Sequence, residues 1–269
     1  MKPITAQSRA TAWLAAIQHL SSCETWADYN LILEIADPMR RDEEDRRIEE
    51  RLDGFLREAN QFPLSTVAET IFPAGEYRRH GPKGVYEIYP REIFPLIKPL
   101  KELLWGTYAY RLVWRDGPNG RVNPLETCVD KLKRQLATKS PKTACYELSL
   151  CDVALDLALY DPLKDRNRPM SGPCLSHVSF KITRDRRLLM TALYRSHYYV
   201  QKALGNLLGL ARLQAFVCEQ TQLAPGPLVC VSTYATLERE SGSWTKKKIQ
   251  DLIRELSTPT VNPQIRAEA

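Results

Sequence analysis

The chain predicts an α/β fold, a single domain in which a central mixed sheet is flanked by helices. Two observations carry that expectation. Ser176, Val178, Phe180 and Ile182 alternate with His177, Ser179 and Lys181, the period of two that marks a strand. After a charged turn at Thr183–Arg186 and a second strand over Leu188–Tyr194, the period lengthens. Val200, Leu204, Leu207, Leu208, Ala211 and Ala215 then form a wide helical stripe before Leu228–Leu237 becomes extended again. The second observation is bulk composition: 269 residues, 43% of them hydrophobic, with a mean hydropathy of −0.37, are enough for a sizeable core in an ordinary globular chain. The apolar run of Leu188–Tyr194 reads as a strand buried on both faces.

The remaining elements follow in order. Residues 7–20 are Ala-rich and predict a helix, and 30–35 a strand closed by Asp37-Pro38. Residues 40–60 predict a charged helix whose buried side is Ile48, Leu52, Phe55 and Leu56. Its acids and bases alternate at salt-bridging offsets and nearly cancel, which is the pattern of a solvated face and not of a nucleic-acid patch. Residues 62–73, with prolines near both ends, read as extended, and 75–83 as a basic loop. Next come a helix over 91–104, a strand over 106–114 and a turn at 116–120. A helix over 124–136, a strand over 144–150 and a proline-rich loop over 161–172 follow. A last helix is expected over 244–256. The domain is therefore read as residues 1–256, with 257–269 as a polar C-terminal tail.

A net charge of +6 and a pI near 8.9 favour anionic small ligands. Nucleic acid is not the expected partner, although Arg78-Arg79-His80 with Lys83, and Lys246–Lys248, are the stretches an RNA-binding reading would use. Seven irregularly spaced cysteines without a secretion signal are expected to be reduced thiols of a cytoplasmic protein. No Cys-x-x-Cys pair is present, so no metal is expected, and no apolar run approaches the roughly 20 residues of a membrane span.

One ordered set of residues carries chemistry. Pro173-Cys174 opens a strand, Tyr194-Arg195-Ser196 closes the following one, and Asn206 follows Arg195 by eleven positions inside the long helix. This set resembles the thymidylate synthase family over about a quarter of the chain. The resemblance implies a thymidylate synthase-like domain that forms a homodimer. Its activity would be transfer of a one-carbon unit from methylenetetrahydrofolate to C5 of a pyrimidine nucleotide or related ring. Chemically, C5 of a pyrimidine is a poor nucleophile until a thiolate adds at C6 and makes the ring enolate-like. By the resemblance Cys174 is that nucleophile, Arg195 and Ser196 bind the nucleotide phosphate, and Asn206 reads the ring's carbonyl and N3. Asn206 also has a physical claim to a partner, because an asparagine beside the apolar stripe of a helix is destabilising unless its amide is satisfied. Glu102, in Glu102-Leu103-Leu104-Trp105, resembles the family's glutamate that organises proton transfers. Methylation and hydroxymethylation both remain open.

The chain also departs from the family pattern. Tyr198 stands where the family has the aspartate that holds the pteridine. Thr236 and Glu238 replace the residues that bind the sugar hydroxyl, Ser140–Thr143 replaces a twin-arginine loop, and Leu175 replaces a histidine. These losses define the alternative, a non-catalytic nucleotide-binding homologue of the same fold, and within the catalytic reading they point to a nonstandard acceptor.

Overall fold

The computed structural model describes residues 3–99, 106–117, 120–150, 173–237 and 244–258. A mixed sheet runs through it in the order β1-β2-β9-β7-β6-β5. The strands are β1 (Ile4–Ala6), β2 (Ala27–Ile35), β5 (Tyr146–Ser149), β6 (Leu175–Ile182), β7 (Arg187–Tyr194) and β9 (Ala224–Thr236). The two-residue β8 (His197–Tyr198) adds to β9, and β3 (Arg115–Gly117) with β4 (Gly120–Val122) forms a separate hairpin. β1–β2, β7–β9 and β8–β9 are parallel; the other pairings are antiparallel. The expected α/β architecture with a central mixed sheet is present.

Helices α1 (Arg9–Ser22), α2 (Glu43–Glu58) and α7 (Pro124–Leu136) occupy the stretches their periodicity predicts. So do α8 (Leu204–Thr221), preceded by a wide π-helical turn over Tyr199–Ala203, and α9 (Lys246–Ser257). α1 and α2 both begin with capping boxes, Ser8 with Thr11 and Asp42 with Asp45, which satisfy the first free N–H groups of each helix.

Three stretches differ from expectation. Residues 62–73 contain a helix, α3 (Leu64–Glu69): Pro63 sits at its N-cap, where its missing N–H is harmless, and Leu64, Val67 and Ala68 turn inward at helical spacing. Residues 75–83 belong to α4 (Ala74–Lys83), which kinks where Gly81 takes φ +59° ahead of Pro82. A π-helical segment over Gly84–Ile93 and the short α5 (Phe94–Ile97) follow. The stretch 106–114 forms α6 (Tyr108–Val113), not a strand. Thr107 caps it by accepting from Tyr110 N–H, and Ala109, Leu112 and Val113 supply its buried face. The expected loop over 161–172 and all but the start of the tail over 257–269 lie outside the described residues. α8 is buried nearly all round, not along one stripe, because the sheet lies on one side of it and α3 on another.

The sheet has two unlike faces. Leu33, Ile35, Cys230, Leu228, Met190, Ala192, Val178 and Phe180 are fully buried beneath the helices. On the other face Ile32, Leu189, Leu193, Val229 and Val231 stay half-buried, and Thr191 is exposed. β7 is thus closed on one side only, against the expectation of burial on both. Among the described residues, no helix is long and apolar enough to cross a membrane.

Candidate functional site

A cavity of about 720 Å³ opens where α3, α4 and the π-helical segment face the N-terminal end of β6, β8 and the first turn of α8. Cys174, Ser196 and Asn206 all reach its wall, although they come from three separate segments. Its volume lies within the range of small-molecule sites.

Cys174 is held at the entry to β6. Its carbonyl accepts from Arg195 N–H at 2.9 Å, and the carbonyl of Pro173 accepts from Arg195 Nε at 3.2 Å. Arg195 therefore clamps the Pro173-Cys174 backbone from behind; it is exposed and does not line the cavity. The Tyr108 hydroxyl also interacts with the backbone of Leu175 and Cys174. Burial raises that hydroxyl's pKa well above the usual phenol value, with the nearby thiol adding to the effect, so Tyr108 is a neutral phenol in the wall. A bulge between Leu175 and His177 interrupts the β6–β7 register next to Cys174, the sort of irregularity that re-aims a side chain at the end of a strand.

Asn206 is 5% exposed, and its Nδ2 lies 3.0 Å from Nε2 of His197. The partner that its position in the helix calls for is present. His197 Nδ1 lies 3.0 Å from Ser232 Oγ, which is 3.1 Å from the hydroxyl of Tyr199. The imidazole stacks on the Tyr194 ring, 4.0 Å between centroids and 7° from parallel. Burial lowers the His197 pKa to about 3, so the ring is neutral.

Glu102 lies outside the described residues. The carboxylates that reach the cavity are Glu69, at the end of α3, and Glu76, in the first turn of α4. Glu69 accepts from Arg212 Nη1 and from Gly75 N–H, both at 3.3 Å. Glu76 is buried and paired with Arg79 at 2.8 Å. Arg78, Arg79 and Lys202 bring positive charge to the same wall, and Phe62, Ile93 and Ile97 bring apolar surface. Sequence reasoning missed Glu69 and His197. The available signal for Glu69 was an acid embedded among Val67, Ala68, Ile71 and Phe72; for His197 it was a histidine between the two polar wall residues Ser196 and Tyr198. Of the departing positions, Tyr198 lines the cavity and pairs with Thr236 across β8 and β9, Leu175 is fully buried, and Glu238 is not among the described residues.

The fold brings a thiol, an amide and carboxylates of an α/β protein to the wall of one cavity of small-molecule size. Comparison with known proteins narrows this. Over 129 residues the chain is 30% identical to the "Putative thymidylate synthase" of Methanococcoides burtonii, covering 48% of this chain and 51% of that protein. Over 130 residues it is 31% identical to the protein of the same description from Methanosarcina mazei, again covering 48% and 51%. The chain thus matches about half the length of these curated relatives, which supports a distant relationship to thymidylate synthases. No family model matches the chain.

Proposed function

We propose that this chain transfers a one-carbon unit to C5 of a pyrimidine nucleotide or related ring through a thiolate adduct at Cys174. The observation that supports this most directly is the convergence of Cys174, Ser196 and Asn206 on one cavity beside Glu69. In the reaction, the Cys174 sulfur bonds to C6 of the ring, and the C5–C6 electron pair moves towards the C4 carbonyl oxygen. C5 then bonds to the incoming carbon. The C5 proton would then be lost as the donor nitrogen leaves the transferred carbon. Hydride from the reduced folate, or water, would add to that carbon as the C6–S bond breaks, which expels the thiolate and restores the ring. Asn206 meets the ring edge where charge develops, and Ser196 with the cationic side of the wall meets the anionic group of the nucleotide. Glu69 takes the acid–base role that the resemblance gives to Glu102, because it is a carboxylate at the cavity.

Methylenetetrahydrofolate, when bound, supplies the one-carbon unit. Phe62, Ile93 and Ile97 offer apolar surface that suits its flat ring system, and Tyr198 lines the same cavity where the family pattern has a carboxylate. Hydride completes a methyl product and water a hydroxymethyl product. The half-buried patch of Ile32, Leu189, Leu193, Val229 and Val231 supports a homodimer joined through that sheet face.

A pyrimidine nucleotide carrying fluorine at C5, from which no C5 proton can be removed, should halt the reaction at the adduct. Incubated with that nucleotide and methylenetetrahydrofolate, the protein should gain the mass of both on Cys174. Cys174→Ser should abolish adduct and turnover while keeping its melting temperature. An adduct that persists in Cys174→Ser, or that maps to another residue, refutes the thiolate mechanism.

A further inference from the structure

Apart from the cavity, three side chains of unlike donor chemistry meet at the C-terminal end of α1. His19 lies in the last turn of the helix, Cys23 caps it four residues later, and Asp28 is the second residue of β2. Four residues advance a helix by about one turn, so His19 and Cys23 share a face, and β2, packed beside α1, brings Asp28 to them. His19 Nε2 is 2.7 Å from Asp28 Oδ2 and 4.0 Å from Cys23 Sγ. All three donor atoms lie within 4.8 Å of one another.

The backbone that carries them is well held. Trp26, between Cys23 and Asp28, is buried and takes φ +59°. Its N–H donates to the Cys23 carbonyl and its own carbonyl accepts from Leu237 N–H, both at 3.0 Å. Asp28 pairs with Ala235 of β9. The side chains stay open to solvent, His19 at 42% and Asp28 at 26% exposure, so an ion can reach them without unfolding the chain. Donors of these kinds around a tetrahedral zinc ion stand about 3.3–3.6 Å apart. The nitrogen–oxygen pair would open by about 0.6 Å and the nitrogen–sulfur pair close by about 0.4 Å, which rotation of partly exposed side chains provides.

We propose that His19, Cys23 and Asp28 form a zinc site that ties the end of α1 to the start of β2, with water as the fourth ligand. An imidazole nitrogen, a thiolate and a carboxylate suit zinc, whereas magnesium and calcium take oxygen ligands alone. As the zinc–sulfur bond forms, the thiol proton passes to solvent and no electron is transferred. Thiolate and carboxylate then balance the two positive charges, and the free carbonyls at the helix C-terminus favour a cation there. The sequence conceals the set because there is no Cys-x-x-Cys pair and the third donor comes from the next element. None of the three residues lines the cavity, so the inference is independent of the pyrimidine reading.

The test uses the untagged full chain, stripped of metal with a chelator and titrated with zinc in a calorimeter and with cobalt(II) in a spectrophotometer. The native protein should bind one zinc ion per chain at micromolar concentration. Cobalt should give the near-ultraviolet band of a thiolate ligand together with the visible bands of a tetrahedral ion. Cys23→Ala should lose the thiolate band. Asp28→Asn should weaken zinc binding at least about tenfold, since loss of even an outer hydrogen-bonding partner of a metal ligand costs about that much. Zinc should also raise the melting temperature of the native protein more than that of either variant. Both substitutions are at partly exposed positions; circular dichroism checks that they fold, and either variant alone carries the test. Cys174→Ser, in the cavity, should bind zinc as the native protein does. No saturable zinc binding, a thiolate band that survives in Cys23→Ala, unchanged affinity in Asp28→Asn, or a loss confined to Cys174→Ser overturns the proposal.

Discussion

Two glycines in helices should respond to the same substitution with opposite signs. A Cβ built on Gly205 would lie 2.6 Å from Cβ and 2.8 Å from Cγ1 of Val67, and 3.1 Å from the carbonyl oxygen of Leu64. Ordinary contact begins at 3.4 Å, so the closest pair is 0.8 Å too near. Val67 is β-branched and stiff at χ1, and the clash includes its Cβ, so rotation cannot relieve it; α3 and α8 must move apart. Overpacking of this kind costs about 1–3 kcal/mol, and replacing glycine in a helix returns about 0.5–1 kcal/mol. Gly205→Ala should therefore lose about 1 kcal/mol net, and at most about 2.5 kcal/mol. At Gly54, within α2, a Cβ would meet nothing within 4 Å, and Gly54→Ala should gain about 0.5–1 kcal/mol. Urea unfolding followed by circular dichroism measures both. α3 carries Glu69 and α8 carries Asn206, so separation of the helices should also weaken nucleotide binding in Gly205→Ala and leave it intact in Gly54→Ala. Two variants that shift stability in the same direction would refute the close-packing argument.

Other consequences can be measured separately. Glu69→Gln should reduce turnover by at least about tenfold while nucleotide binding changes little, as expected when an acid–base group is lost and the pocket is kept; full turnover in that variant would remove Glu69 from the mechanism. His197 has its pKa lowered from 6.5 to about 3 by burial, so between those values the unfolded chain binds more protons. Stability should then be flat above about pH 6.5 and fall on acidification towards about pH 3, by up to about 1.4 kcal/mol per pH unit from this group, and His197→Phe should flatten that limb in urea titrations. An equal acid slope in the variant would mean that His197 is not a buried neutral ring. Val231 pairs with Ile32 and Leu193 on the half-buried sheet face, so Val231→Asp should convert a dimer into a monomer in sedimentation experiments. A native protein already monomeric at micromolar concentration would refute the dimer reading.

The best-read part of the chain is β6, because there the side-chain period and the burial agree. In β6, Val178, Phe180 and Ile182 are buried and Ser179 and Lys181 are not, as alternation requires. Where two periods coexist, the sequence misleads. Over 106–114 the large residues Tyr108, Tyr110, Leu112 and Trp114 alternate and suggest a strand. The residues that the fold buries are Ala109, Leu112 and Val113, at helical spacing behind the Thr107 cap. Residues 62–73 mislead through proline: Pro63 and Pro73 bracket a helix instead of preventing one, and reading them as extended conceals Glu69 in the wall of the site. Strand order is not legible either, since the parallel neighbours β7 and β9 are joined through all of α8.

α8 also explains why the site is placed where it is. A π-helical turn over Tyr199–Ala203 precedes it, and the carbonyl of Tyr199 accepts from Trp13 Nε1 at 2.7 Å. Such turns widen a helix locally and rotate the residues that follow, and they recur at functional positions. Beyond the turn, Gly205 and Gly209 lie four residues apart and both press on α3 and the residues just after it, Gly205 at Val67 and Gly209 at Ala68 and Ile71. Asn206, one residue on from Gly205, points about 100° away around the helix, to His197 on the sheet side. One glycine face therefore sets the distance from α3, with Glu69, while the next residue sets the amide against β8. The cavity lies at that seam, so the contacts that hold the helix in the fold also set the separation between its acid and its amide. A substitution that loosens either contact should change binding before it unfolds the chain.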